Sequence, residues 1–420
     1  MRIARLLFCS LLWLTISVNA VAQKQATVPA QESVLYEFTG GGGGYGPQGG
    51  LTIDHEGNLY GTTPYTVFEL KRGAGGVWTE RVLYSFFKDC CGNGYAPTGN
   101  LVFDSNGNIY GTTEQGGGAS DSGGTIFKLT RAGDQWTENV LYSFAFGSTS
   151  SGYYPIGGPV FDHSGNLYGT TLYGGGEELC NGDYGCGTVY ELTPGTAGTW
   201  VYTVLYTFSG GDDGANPIAS LVLDGDGNIY GTAEYAGADG YGTVFELTPN
   251  SSGTWDQTVL HTFTGGADGA YPYAPLTFGP DGSLYGATIL GGAYGYGNIY
   301  QLTRSAGGAW QERVLHQFTN GSDGASPQSG VTFDSKGNIY GTAERGGNEP
   351  GYGVVFELKK SAGAYVENVL YSFPGRAGGQ GPNTQMVLDG AGNLYGTVPF
   401  GGKSGKGCSY GCGFVYEIIP

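Results

Sequence analysis

Positive charge and histidine are scarce in these 420 residues: 18 Lys and Arg stand against 36 Asp and Glu, and there are four His. So acidic a chain is repelled by nucleic acid and by anionic membranes, which excludes both as partners. Only 13% of the residues carry charge. The negative charge is therefore spread thinly and reads as solubility rather than as an acidic tail. Long apolar runs are also missing beyond the N-terminus, where nothing approaches the roughly 18 residues a spanning helix needs. Helix signals are almost absent. Glycine is abundant, at 83 residues, but it follows no three-residue period, which excludes a collagen-like fibre.

What is present begins with "MRIARLLFCSLLWLTISVNAVA": Arg2 and Arg5, an apolar run from Leu6 to Val18, and Ala20 and Ala22 in A-x-A spacing. This predicts a signal peptide over 1–22 and a secreted or periplasmic protein. Cys9 lies inside the apolar run, away from the place of a lipidated cysteine. Cleavage leaves 16 basic against 36 acidic residues, a net charge of −20. Residues 23–32 read as a linker before the first repeat.

From there the glycines punctuate short runs rich in β-branched and aromatic residues, such as "TVFEL" and "VLYSF". The motif G-N-[LI]-Y-G places its Tyr at 60, 110, 168, 230, 340 and 395, and "GSLYG" adds Tyr285. V-L-[YH]-x-F keeps step with it from Val34, Val82, Val140, Val204, Val259, Val314 and Val369. Each unit carries four extended runs; in the fourth they are "SLVLD", "NIYGT", "TVFEL" and "TVLHTF". Four short antiparallel strands make a propeller blade, so seven units predict an all-β, seven-bladed β-propeller over 33–420. The first run, "SVLYEF", is of the fourth-strand type, whereas the chain stops after "FVYEI", of the third-strand type. Pairing the N-terminal strand with the C-terminal blade would close the ring and remove its open edge.

The repeat also disarms tempting residues. "DGDGN" at Asp224 looks like the start of a calcium loop, but the sixth and twelfth loop positions hold Ile229 and Tyr235 instead of Gly and Glu. Six of the seven units keep Asp, two free positions and Gly, the pattern of a type I hairpin turn. His55 and His163 occupy free turn positions, while His261 and His316 replace the Tyr of V-L-Y-x-F. Trp78, Trp136, Trp200, Trp255 and Trp310, with Tyr365 in the sixth such place, recur at one position and are expected to pack between blades. No metal or cofactor is expected.

The combination "VLYTFSGGDDGANP…LDGDGNIYGTAEYAG…GYGTVFEL" resembles the GloVer tandem repeat of secreted bacterial proteins, from about Ser33 to Pro420. The resemblance implies an extracytoplasmic repeat protein of uncharacterised function. Relatives often end in a cell-surface anchor, whereas this chain ends inside the seventh repeat. A weaker likeness is to NHL-type and gluconolactonase-like propellers, where D-x-x-G-N-[LI]-[YW] marks the same turn. Those relatives include hydrolases and lyases, so an enzyme must be weighed.

If first strands line the channel, the inward residues are small or apolar except Asn100 and Gln385. No ligand set for a catalytic metal and no acid–base pair is visible there, and a catalytic pair would have to come from loops. A binding module is therefore favoured over an enzyme. The fourth-to-first and second-to-third loops are long, variable and rich in Tyr and Asp, and they share one face. Candidate ligand residues there are Asp212, Asp213, Tyr235, Tyr241, Asp268, Tyr271, Tyr296 and Asp323. Tyr rings stack on sugar C–H faces and Asp accepts hydroxyl hydrogen bonds, so neutral or cationic glycans fit and polyanions do not. Against this, D-G-A-x-P repeats from unit to unit, and Asp213, Asp268 and Asp323 also suit a purely turn-capping role. The alternative partner is a cell-envelope protein bound by a monomeric scaffold. Six cysteines remain after cleavage. Cys180–Cys186 and Cys408–Cys412 are each expected to pin a loop, and the adjacent Cys90 and Cys91 to pair with each other.

Overall fold

The computed structural model describes residues 30–86, 92–118, 122–176, 180, 185–361 and 363–420. The signal peptide expected over 1–22, most of the linker expected over 23–32, and the expected Cys90–Cys91 pair lie outside them.

Seven antiparallel sheets succeed one another along the chain as blades 1 to 7. Blades 1 to 6 span 52–85, 102–145, 160–207, 222–262, 277–317 and 332–372; blade 7 combines 387–419 with the N-terminal strand. In blade 4 the strands are Val222–Leu223, Ile229–Ala233, Thr243–Pro249 and Trp255–Thr262. First strands are only two residues long, and blade 2 adds a short strand Tyr95–Pro97 on its second strand. Gln31–Glu37 pairs antiparallel with Phe414–Ile419, from Gln31 opposite Ile419 to Glu37 opposite Phe414. The ring is closed as the repeat pattern predicts, by a strand that starts two residues earlier than the repeat.

Aromatic rings join the blades. The Phe of every V-L-[YH]-x-F is buried, and it meets the ring of the next blade's third strand at each of the seven seams. Phe208 on Phe245, with centroids 5.1 Å apart and edge-on, is typical. The same third-strand ring dictates the Gly of L-Y-G: a Cβ on Gly231 would lie 2.5 Å from Phe245 Cζ. Four blades use Phe as this ring and three use Tyr190, Tyr300 and Tyr416, whose buried hydroxyls have no partner among the described residues. Trp78, Trp200, Trp255 and Trp310 each pack against the G-N-[LI]-Y-G tyrosine of the preceding blade, 6.2–6.4 Å between centroids. The tryptophans are thus seam residues, as their regularity suggests.

A second lock runs around the long-loop face. In each blade the residue before a proline has a left-handed backbone: Gly46, Ala96, Tyr154, Asn216, Tyr271, Ser326 and Gly381, at φ 54–69°. Such values are uncommon outside glycine and need a tertiary cause. Here each of these N–H groups donates to a carbonyl of the preceding blade, at 2.7–3.0 Å; Tyr271 N to Tyr241 O, at 2.9 Å, is one. At six of the seven seams the following proline packs on the glycine before or at the start of the preceding blade's third strand; blade 1 has Tyr65 there. Gly242, at φ 94°, would place a Cβ 2.5 Å from Pro272 Cδ.

Candidate functional site

The D-x-x-G turns are satisfied from within. Asp224 Oδ1 accepts from the N–H of Asp226 and Asn228, and Oδ2 from Asn228 Nδ2 and Tyr230 Oη. Burial alone would raise the Asp224 carboxyl, but these hydrogen bonds outweigh it and hold it below the ordinary value. The same tyrosine hydroxyl reaches Glu246 Oε1 at 2.7 Å. The pattern recurs in the other D-x-x-G-N turns, so the motif that resembles a calcium loop is occupied by its own turn.

On the opposite face the long loops of blades 2 to 7 pair with one another, as Ala215 does with Tyr235 and Ala270 with Leu290. Disulfides Cys180–Cys186 and Cys408–Cys412, with Cα atoms 5.0 Å apart, pin the second-to-third loops of blades 3 and 7. The candidate aspartates divide. Asp213 accepts from Ser209 N, Ser209 Oγ and Tyr206 Oη. Asp268 and Asp323 accept from the backbone and hydroxyl of Thr264 and Thr319. They also face His261 and His316, Nε2 to Oδ2, at 3.3 and 3.6 Å. These three carboxylates therefore build their turns, while Asp212 is exposed. Burial pushes both imidazoles below the ordinary histidine value, against the pull of the aspartates.

The candidate tyrosines gather at the seam of blades 4 and 5. Tyr271 lies 5.4 Å from Tyr235 and 5.8 Å from Tyr241, ring centre to ring centre. Tyr235 and Tyr241 are 39% and 37% exposed, and present a partly open aromatic surface. Tyr296 is as exposed on blade 5, in the place that Tyr241 has on blade 4.

One concavity is axial. A cavity of about 320 Å³ opens on the long-loop face and takes one residue from every blade, always the residue after the locking proline: Gln48, Thr98, Ile156, Ile218, Tyr273, Gln328 and Asn383. Blades 6, 7 and 1 supply amides, and blades 3, 4 and 5 supply Ile156, Ile218 and Tyr273. Asn383 Oδ1 is buried and accepts no hydrogen bond from the described residues. Asn100, Ser220, Pro275 and Gln385 line both this cavity and a deeper one, and so mark the neck between them. Gln385 Nε2 crosses the neck to Val331 O at 2.9 Å and Thr277 Oγ1 at 3.3 Å, and Asn100 Oδ1 accepts from Gly50 N at 2.9 Å. The two polar first-strand residues singled out by sequence thus form the floor of the mouth.

Three glutamates that sequence reasoning missed stand around this mouth. Glu114 lies near the end of the second strand of blade 2, and Glu234 and Glu344 follow the second strands of blades 4 and 6. Burial first, then the charges of Glu234, Glu114 and Glu344, push the Tyr273 hydroxyl above its ordinary pKa. Glu234 is 7% exposed, and burial raises its carboxyl against a hydrogen bond with Tyr235. Glu344 accepts from Gln328 Nε2 and lies 3.8 Å from Arg345 Nε. The available signal was an acid after Y-G-T-[TA] in alternate units. No group of three His, Cys, Asp or Glu among the described residues could hold a metal. The mouth can hydrogen-bond and stack.

No curated protein matches the sequence. Among solved structures, a virginiamycin B lyase from Staphylococcus aureus is similar over 93% of this chain and 99% of its own, at 15% identity and a TM-score of 0.56. A protein from Lactobacillus plantarum is similar over 90% and 98%, at 14% identity and a TM-score of 0.53. At such identities the likeness establishes the propeller fold and nothing of activity. Residues 24–179 and 179–410 match the Gloeobacter/Verrucomicrobia repeat, which takes in nearly all of the blades described above, and the chain belongs to that family.

Proposed function

We propose that this propeller is an exported, non-catalytic binding module that holds extracellular glycans on its long-loop face. The observation that carries the reading is the axial mouth, where one side chain per blade converges: amides on one side, Ile156, Ile218 and Tyr273 on the other. Sugars present hydroxyls at their edges and C–H groups on their faces, and such a two-sided lining meets both. Tyr235, Tyr241 and Tyr271 extend the aromatic side outward, next to Glu234. The closed disulfides suit an oxidising compartment, and no helix among the described residues is long and apolar enough to cross a membrane. Titration with cell-wall and plant polysaccharides tests the reading. Binding at millimolar sugar or better is expected, weakened when Tyr235, Tyr271 and Tyr296 are changed together to Ala. If no polysaccharide binds, a protein-binding scaffold takes the place of this reading.

A further inference from the structure

The axial cavity has a shape that matters to a polymer. Seven blades enclose it on all sides, its floor is crossed by the Gln385 side chain, and its volume of about 320 Å³ lies at the lower end for small-molecule pockets. A chain lying across the propeller could touch the rim but could not lower an internal unit to the floor amides, because both flanking units would meet the surrounding loops. An end can enter. The lining also selects by charge. Glu114 lines the cavity, the N–H groups of Glu234 and Glu344 donate to Asn216 O and Ser326 O, each two residues before a lining residue, and Glu344 also accepts from the lining Gln328, while none of the residues lining it is basic. Arg345, 3.8 Å from Glu344, is turned to solvent with 70% of its side chain exposed.

Resting on the glycan reading above, we infer that the mouth is an end-on site: it takes the terminal one or two rings of a neutral or amine-bearing saccharide chain and rejects uronic-acid ends. In this arrangement the apolar side, Ile156, Ile218 and Tyr273, supports the face of the terminal ring. Its hydroxyls meet Gln48, Gln328 and the unpartnered Oδ1 of Asn383, and an amine substituent is favoured by the three carboxylates.

The test uses calorimetric titration of the mature protein with three linear hexaoses: β-1,4-glucose, β-1,4-glucosamine and α-1,4-galacturonate. The neutral or the amine-bearing hexaose is expected to bind one to one, and galacturonate about tenfold more weakly or not at all. Gln48→Trp plugs the mouth from an exposed position, so the variant is expected to fold with an unchanged melting temperature and to lose about tenfold or more in affinity. The polymer of the sugar that binds is then compared before and after endo-cleavage at constant mass. End-on recognition requires that cleavage increase the protein captured in proportion to chain ends. Equal capture by intact and cleaved polymer overturns the end-on inference and leaves glycan binding standing. Preference for galacturonate overturns the charge selection, unchanged affinity in Gln48→Trp overturns the location, and failure of all three hexaoses overturns the glycan reading itself.

Discussion

Removing the N-terminal strand should undo the ring more thoroughly than any single substitution. A chain that begins at Gly40 loses the whole strand Gln31–Glu37, its ladder to Phe414–Ile419, and Phe38. Phe38 is fully buried against Phe68 of blade 1, with ring centres 5.1 Å apart. Truncating one such Phe to Ala costs about 3–5 kcal/mol. Leu35 and Tyr36 pack on the same cluster, and Tyr36 Oη donates to Glu80 Oε2 of blade 1 at 2.9 Å. The sum approaches the roughly 5–15 kcal/mol that separates folded from unfolded domains, and blade 7 is left with a bare strand edge. The shortened chain should therefore aggregate on expression or unfold at much lower urea, and a synthetic peptide of residues 31–39 added in trans should restore part of the loss. Urea unfolding followed by tryptophan fluorescence reads the difference. A chain starting at Gly40 that matches the mature protein in midpoint and slope would refute closure as the source of stability.

Tyr300→Phe should stabilise blade 5, because the hydroxyl it removes is buried without a partner and Phe fills this place in four other blades; a gain on the order of 1–3 kcal/mol is expected from chemical denaturation, and a loss would reveal a missed partner. The pH dependence has a definite sign. Burial pushes Glu138, Glu312 and Glu367 up to about 7, with the charge of Asp268 adding to Glu312 and that of Asp323 to Glu367. Their folded pKa values are raised, so the stability they contribute is present below the ordinary carboxyl value of 4.5 and is lost as pH rises through about 7. The lowered His261 and His316 work in the opposite sense, losing their contribution as pH falls below the ordinary value. Blade 4 carries Gln257 where blade 5 carries Glu312, and Glu312→Gln should raise the melting temperature at pH 8 while leaving it nearly unchanged near pH 4; an equal shift at both would show that Glu312 is ionised throughout.

Blade number, closure and the seam tryptophans were legible because each depends on a spacing that every unit repeats. The D-x-x-G-N turns were legible for the same reason. The site was not. Glu114, Glu234 and Glu344 occur in alternate units only, so comparison of neighbouring copies dismisses them as variation. The after-proline ring contains Gln, Thr, Ile, Tyr and Asn, and no single chemistry marks the position. Asp213, Asp268 and Asp323 attracted attention as carboxylates on the long loops, while their recurrence pointed to turn capping, and in the structure their oxygens hold the turns. Nor could residue type announce the left-handed backbone before each proline, since Ala96, Tyr154, Asn216 and Ser326 have no common preference for it. That conformation is imposed by a hydrogen bond to another blade, which no local window contains.

The lock that imposes it uses a backbone N–H, a proline ring and, at six of the seven seams, a glycine, and it asks nothing of the side chain that comes next. Positions 48, 98, 156, 218, 273, 328 and 383 are therefore held in place by neighbours that must stay constant, while they themselves are free to change. Seven independently mutable letters are written around one opening, in a frame that tolerates polar, aliphatic and aromatic choices alike. Selection can respell the recognition of a ligand there without renegotiating the fold, and a library randomised at those seven positions would sample new specificities on an unaltered ring.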